Sequence, residues 1–260
     1  KSEMASRRLP AYFLGRFPQR EIICATYNSD FASEFGRNVR EIVNAEEYAN
    51  VFPSLEIKST DRAADRWAVT QGGGFRAAGV GGGLTGRGGH LIIIDDPIKS
   101  REEADSKLQR DRVWDWYRSV VYTRQAPKCA FIVIQTRWHD DDLAGRLLAE
   151  AENDGEKWDT VDFPAIATGS DILGRDQGEA LWPEWFPLPM LEQVRRTVGP
   201  REWSALYQQT PVEDDGAYFK RQWIEEFQFD KADLLEKREL GQRHLHIYGA
   251  SDYAVTSNGG

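Results

Sequence analysis

Cysteine, methionine and histidine are scarce, at two, two and four residues in a chain of 260. Two cysteines, Cys24 and Cys129, cannot build a disulfide framework or a Cys-rich zinc site, and they fit a reducing compartment. Long apolar runs are missing too. The run Leu91 to Ile94, like every other, falls far short of the ~20 residues that span a bilayer, and mean hydropathy is −0.59. No charged stretch followed by an apolar one opens the chain, so a protein that is not secreted is expected. Net positive charge is absent: 33 Lys and Arg against 42 Asp and Glu leave −9. A uniformly basic nucleic-acid binder is thereby excluded, although a local basic groove is not.

What is present suffices for a folded protein. Hydrophobic residues make up 40% and charged residues 29%, enough to bury a core, and the length allows one large domain or two ordinary ones. The chain opens on Lys1 rather than Met and stops in a turn-like Ser257-Asn258-Gly259-Gly260. It reads as a piece of a longer protein, and as one expected to be inactive by itself.

Strands and helices alternate over the first part. Ser2 to Leu14 reads as a helix, and Glu21 to Thr26 as a buried strand. Tyr27 to Asp30 supplies helix-capping side chains. Phe31, Phe35, Val39, Ile42 and Val43 then follow at helical spacing. Trp67 to Thr70 and Phe75 to Ala78 predict two strands joined across Gly72-Gly73-Gly74. Between Gly72 and Gly89, 10 of 18 residues are glycine, which signals backbone at positive φ or in close approach to something. His90 to Ile94 is apolar at nearly every position, as a central parallel strand is, and ends in Asp95-Asp96-Pro97. Asp105 to Gln125 predicts a helix, and Cys129 to Gln135 a second buried strand ending in Thr136-Arg137-Trp138. Asp140 to Glu152 predicts a helix capped by Asp140 or Asp141, and Trp158 to Phe163 a further strand. The class is α/β with a mainly parallel sheet. After Pro164 the composition turns to Gly, Pro and Trp, with short helices over 189–198 and 200–208, a linker near 208–216, and a new strand from His244 to Gly249 leading to Asp252.

In a doubly wound sheet, ligands bind beyond the carboxyl ends of the strands. Asp95-Asp96 and Thr136-Arg137 both lie at such ends. Lys1-Ser2 opening a helix matches the tail of a phosphate-binding loop, where Lys holds the β/γ-phosphates and Ser joins the Mg²⁺ shell. Asp95 on a later strand then suits the acid that holds the same ion. His244 and His246 read as structural. His139 beside Asp140-Asp141-Asp142 reads as helix capping rather than a metal site. Trp182, Trp185 and Trp203, near Arg195, Arg196 and Arg201, read as the aromatic core of a small subdomain, with DNA stacking as the alternative.

Six segments recur in this order in the large subunit of tailed-phage terminases, which the whole chain resembles. They are Lys1-Ser2-Glu3-Met4, Ala25-Thr26-Tyr27-Asn28 ahead of the Phe31 helix, Gly86-Arg87-Gly88-Gly89, Ile93-Ile94-Asp95-Asp96-Pro97, Gln135-Thr136-Arg137-Trp138 and Tyr207-Gln208-Gln209-Thr210-Pro211. The resemblance implies a P-loop NTPase-type sheet flanked by helices over 1–165, a small helical linker subdomain over 166–240, and the first strand of an RNase H-like nuclease over 241–260. It implies an ATP-driven motor that packages viral DNA, with an endonuclease that cuts it. Lys1 and Ser2 look like the end of Walker A, Asp95 like the Mg²⁺-holding acid, and Asp96 like the residue that orients the attacking water. Many terminases carry Glu where Asp96 stands. Gln135, Thr136 and Arg137 resemble the motif that senses the γ-phosphate. Arg87 resembles an arginine finger given to a neighbouring subunit, with Arg76 as the fallback. Asp252 resembles the first carboxylate of a two-metal (Mg²⁺ or Mn²⁺) nuclease. The implied partners are double-stranded DNA, the portal protein and procapsid, the small terminase subunit, and further copies in a ring, with no membrane. The implied location is the cytoplasm of the bacterial host. A P-loop helicase or other translocating ATPase, or a non-catalytic module derived from one, are the alternatives.

Overall fold

The computed structural model describes residues 1–84, 86, 88–169 and 171–212, which belong to one compact unit, Lys1–Glu213. Its frame is a six-stranded sheet. A π-helical turn, Glu3–Arg8, runs into α1 (Leu9–Arg16), followed by β1 (Glu21–Thr26), α2 (Ser29–Asn44), α3 (Glu46–Val51), β2 (Ile57–Arg62), β3 (Arg66–Val69), β4 (Gly74–Gly79) and β5 (Gly89–Asp95). Next come α4 (Arg101–Asp105), α5 (Lys107–Trp116), β6 (Gln125–Ile134), α6 (Leu143–Glu152) and α7 (Leu188–Glu202). The strand order is β2-β3-β4-β1-β5-β6. β4, β1, β5 and β6 are parallel, while β2 and β3 add antiparallel at the β4 side. The sheet is therefore mixed and mostly parallel, in keeping with the expected class.

β1 and β5 form the centre because nearly every residue on them is apolar and both faces are covered. Alternation divides them cleanly. Ile22, Cys24, Leu91 and Ile93 face a core shared with Phe35, Val39, Trp67 and Phe75. Ile23, Ala25, Ile92 and Ile94 face the other, with Val113, Trp116, Val121 and Leu147. Cys24 pairs with Ile93 and Ile22 with Leu91, which brings Thr26 and Asp95 to the same end of the sheet. Asn28 caps α2 as expected, its side chain accepting from the Phe31 amide at 2.8 Å.

Several elements differ from the sequence reading. The strand from Cys129 begins earlier, at Gln125, and is half-buried rather than buried, because among the described residues it pairs with β5 on one side alone. Trp158–Phe163 forms no strand. Its apolar residues fall at 158, 161 and 163, which is no consistent period of two. Trp158 reaches the ring of Phe131, while Val161 and Phe163 stay exposed. The helix expected over 105–125 begins at Lys107, where Ser106 caps α5 through its hydroxyl, and a separate short helix, α4, capped by Ser100, precedes it. A π-helical turn (Tyr117–Val121) and a 3₁₀ turn (Tyr122–Arg124) complete the connection. β2 was not foreseen, since an edge strand reading Ile-Lys-Ser-Thr-Asp-Arg carries almost no apolar signal.

Residues 165–207 build a small third core around Ala180, Leu191 and Trp203. Gly199, at φ 78° and ψ 170°, breaks α7 ahead of Pro200, in line with the two short helices expected there. Trp203 is buried as expected, but Trp182 and Trp185 are not core: they are 56% and 65% exposed and lean on one another at 5.6 Å. Only one of the three indoles thus finds a pocket deep enough to dry it. This small core is tied back to the sheet through α4. Arg101 forks onto Glu202 at 2.7 and 2.6 Å and also donates to the Trp138 carbonyl, while Arg201 reaches Asp105 at 2.6 Å. The proposed limits of the linker (166–240) and of the nuclease start (241–260), with His244, His246 and Asp252, extend outside the described residues.

Candidate functional site

The carboxyl ends of β5 and β6 and the start of the first helix meet at one point. Asp95 is the last residue of β5, paired with Ile134, the last residue of β6. It is 1% exposed. Its Oδ1 accepts from the Ser2 hydroxyl at 3.1 Å and its Oδ2 from the Ser6 hydroxyl at 2.5 Å. Burial raises its pKa first of all. The Ser6 and Ser2 hydroxyls oppose that rise, Asp96 adds to it and Lys1 counters it. Asp95 is thus a carboxylate in a dry site, held by two hydroxyl donors.

Asp96 has different surroundings. Its backbone takes φ 45°, a left-handed conformation that Asp tolerates better than most residues. The conformation is fixed from three sides. The Asp96 amide donates to the Ile134 carbonyl at 2.8 Å, and its own carbonyl accepts from the Tyr27 amide and the Thr26 hydroxyl. The side chain turns towards Lys1 and Thr136: Oδ1 accepts from Lys1 Nζ at 3.1 Å and from the Thr136 amide at 2.7 Å. Lys1 Nζ also donates to the Thr136 hydroxyl at 3.0 Å. Both partners of the Lys1–Asp96 pair are partly exposed, at 46% and 31%, so the pair is weak and exchangeable.

Five of the sequence candidates therefore converge: Lys1, Ser2, Asp95, Asp96 and Thr136. Among the described residues no group of three or more His, Cys, Asp or Glu could hold a metal ion. The donors at hand are a carboxylate and a hydroxyl, hard oxygens that suit Mg²⁺, which takes its other ligands from phosphates and water. The donor set fits that ion, and Lys1 adds the cation a phosphate needs.

A comparison with protein families matches residues 1–226 to terminase large subunit, T4likevirus-type, N-terminal. The chain belongs to the terminase large-subunit family. No curated protein matches it. As a terminase chain it is part of the machinery that packages phage DNA, and the family implies ATPase and nuclease chemistry in the full-length protein. No helix among the described residues is long and apolar enough to cross a membrane.

Other terminase candidates lie elsewhere or outside the described residues. Gln135 and Arg137 turn away from Lys1 towards Asp142, which is buried at the start of α6. Arg137 Nε donates to Asp142 Oδ2 at 3.0 Å, and the Gln135 side chain also hydrogen-bonds that carboxylate. Arg76, on β4, has its guanidinium 3.8 Å from the Glu21 carboxylate. Arg87 and Asp252 lie outside the described residues.

The α6 cap is Asp142, accepting from the Gly145 amide at 2.9 Å, not Asp140 or Asp141. Asp141 is taken by Arg110 and Arg146 at 2.7–3.0 Å; those bonds, Arg146 first, pull its pKa down to about 2. Asp140 lies against His139. Capping thus accounts for Asp142 and ion pairing with two arginines for Asp141.

Sequence reasoning missed Ser6, Thr26 and Asp142. The one signal for Ser6 is its spacing of four from Ser2, which places both on one helical face. Asp142→Ala should lower stability by about 1–2 kcal/mol, since it removes the side chain that caps α6. Asp142→Asn keeps the cap and should cost less. Thermal midpoints of both variants check this order; an alanine variant within 1 °C of the parent would contradict it.

Proposed function

We propose that this chain carries the ATPase site of a motor that drives double-stranded DNA into procapsids. The supporting observation is that two adjacent strand-end carboxylates have opposite environments. Asp95 is dry and held by hydroxyls, whereas Asp96 is partly exposed and held by Lys1 and the Thr136 amide. Neighbouring acids in unlike surroundings take unlike roles. Asp95 and Ser2 hold Mg²⁺, which when bound neutralises charge on the β/γ-phosphate oxygens.

Lys1 leaves Asp96 and Thr136 for those phosphate oxygens, which frees an oxygen lone pair on Asp96. The Thr136 amide keeps the Asp96 carboxylate aimed while it orients the attacking water and accepts its proton. Gln135 and Arg137 act behind Thr136 by fixing its loop to Asp142. Arg87 supplies a guanidinium to the ATP of a neighbouring copy in a ring, a task that suits its permanent charge and planar donors. Beyond the motor, Asp252 belongs to an RNase H-like, two-metal nuclease that cuts the DNA. The portal protein and the small terminase subunit are the partners that dock motor and substrate at the procapsid.

The test uses the full-length protein. Its ATP turnover should require Mg²⁺ and rise with double-stranded DNA. Arg87→Ala subunits should bind ATP yet lose about 10³-fold or more in turnover, the range measured for arginine fingers. Mixing them with Asp95→Asn subunits should restore part of it, since each supplies what the other lacks. Turnover indifferent to DNA, or no recovery at any mixing ratio, would count against the motor and the shared site respectively.

A further inference from the structure

The Asp95 carboxylate is gripped from one helical face. Ser2 and Ser6 are four residues apart, and their hydroxyls take one oxygen each, Oδ1 at 3.1 Å and Oδ2 at 2.5 Å. The two serines are not equivalent. Ser2 is only partly buried and adjoins Lys1, whereas Ser6 is fully buried, at 0% exposure. A buried helical serine ordinarily returns its hydroxyl to a carbonyl on its own helix, three or four residues back. Ser6 instead donates across to the end of β5, at the short distance of a hydroxyl bonded to a carboxylate. Ser6 also sits in the π-helical turn Glu3–Arg8, an irregularity that occurs frequently at functional sites.

We propose that Ser6 is a positioning residue for the Mg²⁺ site, holding Oδ2 of Asp95 so that Oδ1 faces the cation. The inference rests on the reading of Asp95 and Ser2 as Mg²⁺ ligands. When Ser2 turns its hydroxyl to the ion, Ser6 is the side-chain donor that stays on Asp95 among the described residues. It fixes the rotation of the carboxylate plane and keeps the second oxygen from competing for the ion. Hydrogen-bond partners of metal-ligating carboxylates commonly contribute 10–100-fold to metal affinity. Ser6 also leaves the phosphate-facing groups alone, so its effect should fall on the metal and not on the nucleotide.

Mn²⁺ is the probe, titrated by electron paramagnetic resonance into the full-length protein with and without ADP. The Mn²⁺ whose binding depends on ADP is the signal read, since nuclease metals bind without nucleotide. Ser6→Ala should weaken Mn²⁺ binding about 10-fold or more. Ser6→Cys should do the same with nearly unchanged volume, because a thiol is a poor donor; it also serves if the alanine variant does not fold. Ser6→Thr, which keeps the hydroxyl, should recover most of the affinity. Metal-free binding of a fluorescent ADP analogue should be unchanged in all three. If the alanine and cysteine variants bind Mn²⁺ like the parent while Asp95→Asn loses it, the Ser6 role is refuted and the Asp95 reading stands. If Asp95→Asn also binds Mn²⁺ like the parent, the reading beneath it fails as well. Equal losses in metal-free ADP binding would show a general packing role and overturn the proposal.

Discussion

Asp95→Asn in the full-length protein is expected to cut Mg²⁺-dependent ATP turnover at least about 100-fold while its thermal midpoint at pH 8 matches or exceeds the parent's. The loss follows from the ion: a metal contributes several kcal/mol of transition-state charge stabilisation, and each 1.4 kcal/mol is tenfold in rate. The gain in stability follows from burial. Asp95 is almost wholly buried and its pKa is raised, chiefly by that burial. The folded protein therefore binds the Asp95 proton more tightly than the unfolded chain does. Stability contributed by the protonated acid is full below the ordinary carboxylate value of about 3.9 and is lost as pH rises towards the raised value. Above that window the ionised group is a fixed penalty, which Asn removes. The two midpoints should thus converge at pH 4 and separate, in favour of Asn, at pH 8. Thermal melts at both pH values and turnover at pH 8 check the claim. A variant that is both active and less stable would place Asp95 in the core rather than in the site.

Asp96→Asn should be the cleaner loss of chemistry. Asn tolerates the left-handed backbone at φ 45° as well as Asp does, and its Oδ1 can still accept from Lys1 and the Thr136 amide. What it cannot do is take a proton. Turnover should fall about 10²–10⁴-fold, the usual range for a positioned general base, with ATP affinity changed only a few-fold. Single-turnover hydrolysis beside equilibrium binding separates the two. A large fall in binding with little change in the chemical step would make Asp96 a partner of Lys1 and nothing more.

The central sheet and the two acids were legible because their signals are local. β1 and β5 read as continuous apolar runs, and Asp95-Asp96 closes one of them abruptly. β2 was invisible, since a polar edge strand has no face to bury. Three consecutive acids, Asp140 to Asp142, offer the same local chemistry. Arg110, thirty-one residues from Asp141, helps decide that Asp141 pairs, which leaves Asp142 to cap. The gathering of Lys1, Ser2 and Thr136 at Asp95 and Asp96 follows from strand order, which a family resemblance conveys and periodicity does not. Ser6 was missed for the opposite reason, because its value lies in a contact 89 residues away in the chain. Gln135 and Arg137 belong to a recognisable motif, yet their side chains pair with Asp142, a partner no motif names.

A structure of the full-length protein with Mg²⁺ and a non-hydrolysable ATP analogue tests the central claim most directly. The account predicts the ion on the Oδ1 side of Asp95 and against the Ser2 hydroxyl. Lys1 should have moved from Asp96 to the phosphates, with Asp96 facing the γ-phosphorus through a water. An ion bound away from Asp95 and Ser2, with the Lys1–Asp96 pair intact beneath bound nucleotide, would contradict it.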